Sequence, residues 1–157
     1  MATFHLMVGL PCSGKTTLAH QLEQKYSALR LTPDEWHTRL SGQDATEKNH
    51  DFRHDLVETL LWELAERVLT LGVDVIFDLG CWVISQRDDF RARTAKLKVE
   101  FKIHYVTASN EELLARLMLR NTQLSGGTFY TPEAMLNEWI PIFEPPAQHE
   151  LEYTEFY

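Results

Sequence analysis

The sequence predicts an α/β fold, with a mostly parallel sheet covered by helices on both faces. Three observations carry this. Short apolar, often β-branched runs (4–8, 28–31, 73–78 and 99–106) alternate with amphipathic helical patterns. A glycine-bearing turn, Gly9 to Gly14, separates the first strand from the first helix. The length of 157 residues suits one domain with its own core, so residues 1–157 are read as a single unit.

The elements follow in order. Phe4, Leu6 and Val8 alternate in an apolar run that Gly9 ends. Lys15 to Tyr26 is helical, with Leu18, Ala19 and Leu22 on one face. Ala28 to Leu31 is a second strand, and Thr32-Pro33-Asp34 breaks it and opens a short helix. Glu47 to Leu71 is the longest helical pattern. Phe52, Leu56, Leu60, Leu64 and Val68 are expected to form its buried stripe, widened by Val57 and Leu61, with Gly72 as the C′ cap. Val73 to Asp78 is a third strand, Ser85 to Leu97 a charged helix and Val99 to Val106 a fourth strand. Ser109 caps a helix that has Glu111 and Glu112 in its first turn and runs to about Asn121. Ser125-Gly126-Gly127 breaks the chain. Thr131 (N-cap) and Pro132 (N1) open a last helix, and Pro145-Pro146 closes the regular part.

Composition excludes several classes. With 44% hydrophobic and 24% charged residues the chain is no disordered polymer. No apolar run approaches the roughly 18 residues of a membrane span. Two cysteines, Cys12 and Cys81, make neither a disulfide framework nor a zinc pattern. No basic, apolar leader precedes Gly9, so a reducing cytoplasm is the expected compartment. The net charge of −8 is local: six glutamates and no Lys or Arg follow Arg120. That bias disfavours nucleic acid as partner. The acidic segment 132–157 reads either as a solvated face or as a rim attracting a cationic substrate.

The chemistry converges on the carboxyl ends of the strands, where such sheets bind ligands. Gly9-Leu10-Pro11-Cys12-Ser13-Gly14-Lys15-Thr16 fits G-x-x-x-x-G-K-[ST], with an apolar strand before it and an amphipathic helix after it. In this pattern inward backbone N–H groups and the helix N-terminus hold phosphates. Lys15 reaches the β- and γ-phosphates, and the Thr16 hydroxyl ligates Mg²⁺. Gly9, Pro11, Cys12, Ser13, Gly14, Lys15, Thr16 and Thr17 are therefore the candidate nucleotide contacts, with Thr16 and Asp78 for the metal. Cys12, near a helix N-terminus, is a candidate for a lowered thiol pKa. Asp34, after the second strand, is either the base for an attacking hydroxyl or a helix-start residue. Glu35, about 100° further around a helix, is the weaker candidate. Asp78 ends the third strand as a Walker-B-type Asp does. Trp82 is a substrate-stacking ring or a core residue. Arg116 and Arg120, four apart, either fold over the triphosphate or form a solvated pair. Arg87 sits at a helix start, where a cation is disfavoured, and is a candidate for phosphate or acceptor contact. His50 and His54 share a helical face, but no third ligand joins them at suitable spacing.

Gly-x-Pro-x-Ser-Gly-Lys-Thr, the Asp34-Glu35-Trp36 loop, Asp78, the Arg87 helix, the Arg116/Arg120 helix and Phe143-Glu144-Pro145-Pro146 occur in that order. Over about residues 4–146 this resembles the small P-loop kinases grouped with AAA-type ATP-binding proteins. Their wider kin are polynucleotide 5′-hydroxyl kinase domains, chloramphenicol phosphotransferase and zeta toxins. The resemblance implies a P-loop NTPase, nucleoside-monophosphate-kinase-like three-layer sandwich. Its sheet order would be about 2-3-1-4, with room for a short fifth strand. It also implies a lid over about residues 116–131 carrying Arg116 and Arg120, and an acceptor-side Asp at Asp34. Asp34, Trp36, Asp78, Trp82 and Arg87 together are the candidate acceptor contacts. Cys12 stands where such kin usually carry Gly, and the lid itself is short and poor in arginine.

The expected activity is transfer of the γ-phosphate of ATP, with Mg²⁺, to a hydroxyl of a small acceptor, a cationic one on the second reading of the acidic segment. Lys15, Asp34 and Arg120 are the expected catalytic residues, with Asp78 as the alternative base. Two rivals stand beside it: a nucleotide-binding regulator or ATPase without acceptor, and a polynucleotide 5′-hydroxyl kinase. GTP is disfavoured, because no guanine-reading Asn-Lys-x-Asp occurs near Thr107-Ala108-Ser109-Asn110.

Overall fold

The computed structural model describes residues 1–157. The chain runs β1 (Thr3–Val8), α1 (Lys15–Tyr26), β2 (Leu29–Leu31), α2 (Pro33–Ser41), α3 (His50–Thr70), β3 (Val75–Phe77), α4 (Ile84–Leu97), β4 (Glu100–Tyr105), α5 (Asn110–Thr122), α6 (Glu133–Trp139) and β5 (Thr154–Phe156). Short 3₁₀ turns, Ile140–Ile142 and Gln148–Tyr153, link α6 to β5. The five strands form one sheet in the order β2-β3-β1-β4-β5, and every pairing is parallel. The expected 2-3-1-4 order holds, with β5 added beside β4.

Strand periodicity divides the core. Phe4, Leu6 and Val8 of β1 point to one face, where they pack with Phe77, with Phe90 of α4 and with Val57, Leu61, Trp62, Ala65 and Leu69 of α3. Phe4 is the hub of an aromatic cluster, its ring 5.4 Å from Trp62, 5.8 Å from Phe77 and 5.7 Å from Phe90. Met7 points the other way, onto Ala19 and Leu22 of α1, Ile76 and Val106.

The buried stripe of α3 departs from expectation. Phe52, Leu56 and Leu60 are 72%, 50% and 53% exposed. Successive residues turn by about 100°, so a row spaced by four creeps about 40° per step. That row starts on the solvent side at Phe52 and reaches the core only at Leu64 and Val68, which pack against it. On the core-facing arc the first two turns are polar, with His50, Asp51, His54, Asp55 and Glu58, and the later turns are apolar. The helix therefore covers the sheet with its apolar residues from Val57 onward and lines a cleft with the polar residues of its first turns.

Helix ends agree with their chemistry. Gly72 (φ 84°) ends α3 in a Schellman arrangement, its N–H donating to Leu69 O and that of Val73 to Val68 O. Thr32 and Pro33 open α2, and Ser109 with Glu112 forms a capping box on α5. At α6 the N-cap is Pro132 rather than Thr131.

The C-terminal segment does not stop at Pro145-Pro146. It returns along the sheet as β5, and Glu150 is buried. Arg87, expected at the phosphate or acceptor, lies outside the cleft and binds this segment. Its Nε donates to Glu150 Oε1 at 2.7 Å and its Nη2 to Oε2 at 2.9 Å, while Nη1 donates to Cys81 O and Nη2 to Pro145 O. A cation at a helix start is tolerated here because a bidentate carboxylate meets it. Both side chains are essentially without solvent contact, at 0% and 1% exposure. Glu150→Gln should leave the Arg87 charge buried without a counter-ion. The expected cost is about 3–5 kcal/mol of unfolding free energy, read by urea denaturation. A loss below about 1 kcal/mol would contradict this role for the pair.

Candidate active site

The ends of β1, β2 and β3 open into a cleft of about 1480 Å³. A single small-molecule site commonly takes about 300–1,000 Å³, so two reactants fit here.

One wall is the turn from β1 into α1. Gly9 sits at φ 152°, and a Cβ there would lie 2.5 Å from Val106 O and 2.8 Å from Ser13 Oγ, so only glycine fits. Its N–H donates to Gly80 O, which ties the loop to the end of β3. Gly14 (φ 105°) starts α1. Cys12 adopts φ 65°, a conformation that glycine favours. The first-turn amides of α1, at Lys15, Thr16 and Thr17, have no intrahelical acceptor. Pro11 and Ser13 also line this wall, and the Ser13 hydroxyl is buried without a partner. Lys15 Nζ donates to Leu10 O at 2.7 Å, and burial pushes its ammonium down to about 8 despite the nearby Asp78 and Asp34. Burial likewise raises the Cys12 thiol, outweighing Arg120, Lys15 and Arg116. The expectation of a lowered Cys12 pKa is thereby corrected.

Asp78, at the end of β3, forms the floor. Burial pushes its carboxyl up, while the nearby Thr16 hydroxyl and the charges of Lys15 and Arg30 oppose that shift. Thr32 Oγ1 donates to it at 3.3 Å, and Arg30 Nη1 lies 3.8 Å away. Thr16 and Asp78 thus meet as a hard oxygen pair beside the phosphate loop, the donor set a Mg²⁺ ion takes. The unpartnered Ser13 hydroxyl and the Cβ-free cradle at Gly9 fit a phosphate chain next to it.

A second wall comes from α2 and the first turns of α3. Asp34, Glu35, Asp51, His54, Asp55 and Glu58 line it. Asp34 opens α2, and its Oδ1 lies 2.9 Å from His54 Nε2. Glu35 also faces the cleft but is tied to Arg30 Nη2 at 3.2 Å. Trp36, expected on the acceptor side, is 46% exposed and points away from the cleft. The reason is helical: two residues beyond Asp34, the side chain has turned by about 200° and lies on the opposite side of α2. Burial raises the Glu58 carboxyl above its ordinary value. The cations of this wall are already committed, Arg53 to Asp44 and Glu47, and His54 to Asp34. Glu133, Glu138, Glu144, Glu150, Glu152 and Glu155 do not line the cleft, so its acidity comes from α2 and α3 and not from a C-terminal rim.

The roof is the loop between α5 and α6. Arg116 Nη1 donates to the Cys12 and Ser13 carbonyls at 3.2 Å, and Arg120 Nη2 donates to Thr131 Oγ1 at 3.2 Å. Arg120 Nε is buried without an acceptor. Both arginines face the phosphate loop. Gln43 clasps this loop by donating to Thr128 O and accepting from Tyr130 N. Trp82 lines the cleft above Gly80 with its ring 5.0 Å from that of Trp139, so the ring is at once wall and packing.

His50 and His54 do not act as a pair. His50 Nδ1 and His37 Nε2 both reach Asp44 Oδ1, at 2.7 and 2.8 Å, and Arg53 holds Oδ2. Burial alone would raise Asp44, but these three donors hold its carboxyl well below the usual range. The grouping of His37, Asp44 and His50 has a cation already in place and closes as a hydrogen-bond network. Sequence reasoning missed Arg30 and the polar face of α3. The signal was present in Asp51, Asp55 and Glu58, spaced four and three apart on one helical face.

No helix is long and apolar enough to cross a membrane. No curated protein matches the chain in sequence. Solved structures do match in fold. Kti12 of Chaetomium thermophilum, solved in complex with ADP-AlF3, has a TM-score of 0.76 at 17% identity, over 98% of this chain and 88% of that one. A sugar kinase from Janibacter has a TM-score of 0.71 at 16% identity, over 100% and 85%. A chain of the Pnkp1/Rnl/Hen1 RNA repair complex has a TM-score of 0.74 at 19% identity, over 99% of this chain and 47% of that one. The AAA domain family matches residues 4–146, and this chain, with its nucleotide-binding P-loop at the end of β1, belongs to that family.

Proposed function

We propose that the protein is an ATP- and Mg²⁺-dependent phosphotransferase acting on a hydroxyl of a small, positively charged acceptor. The observation that carries this reading is the placement of Asp34 across the cleft from the Lys15 loop, at the head of an acidic wall. An ATPase switch needs no second wall. A wall of Asp34, Asp51, Asp55 and Glu58 suits an amine-bearing alcohol and repels the phosphates of a nucleic acid.

Each residue then has a task. Lys15 and the amides of 13–17 hold the triphosphate. Thr16 and Asp78 would hold Mg²⁺, which neutralises phosphate charge when bound. Asp34 accepts the proton of the acceptor hydroxyl as its oxygen bonds to the γ-phosphorus and the bond to ADP breaks. Arg120 and Arg116 meet the charge on the transferring group. Trp82 borders the acceptor.

Incubation with γ-labelled ATP and a panel of alcohols tests the reading. Label should enter aminoglycoside-like or other cationic alcohols. Label in a 5′-hydroxyl oligonucleotide, or in no acceptor despite tight ATP binding, would contradict it. Asp34→Ala should lower kcat by roughly 10²–10⁴, with ATP affinity unchanged. Full turnover in that variant would remove Asp34 from the reaction. Lys15 binds phosphate as the ammonium, and in the free cleft it loses its proton at about 8. ATP affinity is therefore fully present below that value and falls as pH rises through it. The expected loss is about tenfold one unit higher, measured by calorimetry. A pH-independent affinity would contradict the Lys15 contact.

A further inference from the structure

His54 lies on the cleft-lining arc of α3, and no role in phosphate or metal binding falls to it. Its Nε2 is 2.9 Å from Oδ1 of Asp34. The imidazole is 23% exposed, whereas the Asp34 side chain is 58% exposed. A short carboxylate in that much solvent has free rotation about two bonds unless something holds it.

We propose that His54 is the positioning residue of the proton acceptor: by donating from Nε2 to Oδ1 it fixes the Asp34 carboxylate and leaves Oδ2 as the oxygen that takes the hydroxyl proton. This rests on the reading of Asp34 as that acceptor. The groups around His54 support the arrangement. From α2 it meets Asp34 and the His37 ring, 5.5 Å away, and from α3 the His50 ring, 5.9 Å away, with Asp55 and Glu58 close enough to act on its charge. The bond to Asp34 raises the His54 pKa, and Asp34, Glu58 and Asp55 add to that against the opposing effect of burial. An ionised carboxylate can only accept, so the 2.9 Å contact makes Nε2 the donor.

The imidazole is itself held. His37 and His50 are anchored on Asp44, and Phe129 of the lid stands edge-on to both rings at 5.2 Å. A continuous row of packed rings thus runs from the lid to the carboxylate. As a partly exposed ion pair the contact adds little stability. Its effect is on orientation, where a misplacement of about 1 Å costs up to about a hundredfold in rate.

Two measurements on the full chain test this. Histidine Cε1–Hε1 NMR titration gives the His54 midpoint, with its signal identified by its loss in His54→Gln. The midpoint should fall by about half a unit or more in Asp34→Asn, and an unchanged midpoint overturns the proposal. Phosphate release from Mg·ATP, with water as acceptor, is then compared among wild type, His54→Ala and His54→Gln. The alanine variant should lose about tenfold or more in kcat, with KM for ATP within about twofold, and glutamine, which keeps an N–H donor, should restore most of the rate. A loss expressed in KM, or a glutamine variant as slow as alanine, overturns the proposal. A wild-type chain that transfers phosphate to neither water nor any alcohol refutes the phosphotransfer reading instead, and the titration still decides the pairing.

Discussion

The passage from β1 into α1 is the constraint on which the rest depends. The chain must leave a buried strand, curl so that its amides face inward, and enter a helix at Lys15. Gly9 makes that possible, because no Cβ can stand between it, Val106 O and Ser13 Oγ. With β3 on one side of β1 and β4 on the other, the crevice opens where the sheet order reverses. The ends of β2 and β3 deliver Asp34 and Asp78 to the same edge without any further device.

Around that loop the charges are sorted. Cations gather on the loop and lid as Lys15, Arg116 and Arg120. Carboxylates gather on α2 and α3, and Arg30 joins the two sets by holding Glu35 near Asp78. The two polar walls have different owners in the fold. The phosphate wall is built from backbone and helix termini, which tolerate little change. The facing wall, which we propose meets the acceptor, is built from side chains of α2 and of the first turns of α3, which can vary without disturbing the sheet because the apolar residues of α3 from Val57 onward cover it. This division lets a fold keep its nucleotide site while changing its acceptor.

Much of this was legible in the sequence, for reasons that can be named. The Gly9–Thr16 pattern, Asp34 and Asp78 are local: each sits at a strand end that alternation and β-branching mark. The Gly72 cap and the Ser109 box were legible because they are set by one or two residues. Arg87 was misread because its partner, Glu150, is distant in sequence, and nothing local distinguishes a buried carboxylate from five solvated ones. Pro145-Pro146 looked like an end for the same reason, since β5 is held by pairing with β4 rather than by propensity. Phe52, Leu56 and Leu60 read as core because a four-residue repeat mimics one face of a helix over short stretches, and the drift is decided only by where the sheet lies. Trp36 was placed on the wrong side because it was grouped with Asp34, although two residues along a helix turn a side chain by about 200°.

The account stands most directly on one structure, that of the chain with Mg²⁺ and a non-hydrolysable ATP analogue. It predicts the triphosphate wrapped by residues 9–17, the metal between Thr16 and Asp78, and Asp34 as the carboxylate facing the γ-phosphate across an open space. A phosphate chain bound outside that loop, or a γ-phosphate with Asp34 turned away from it, would contradict the account.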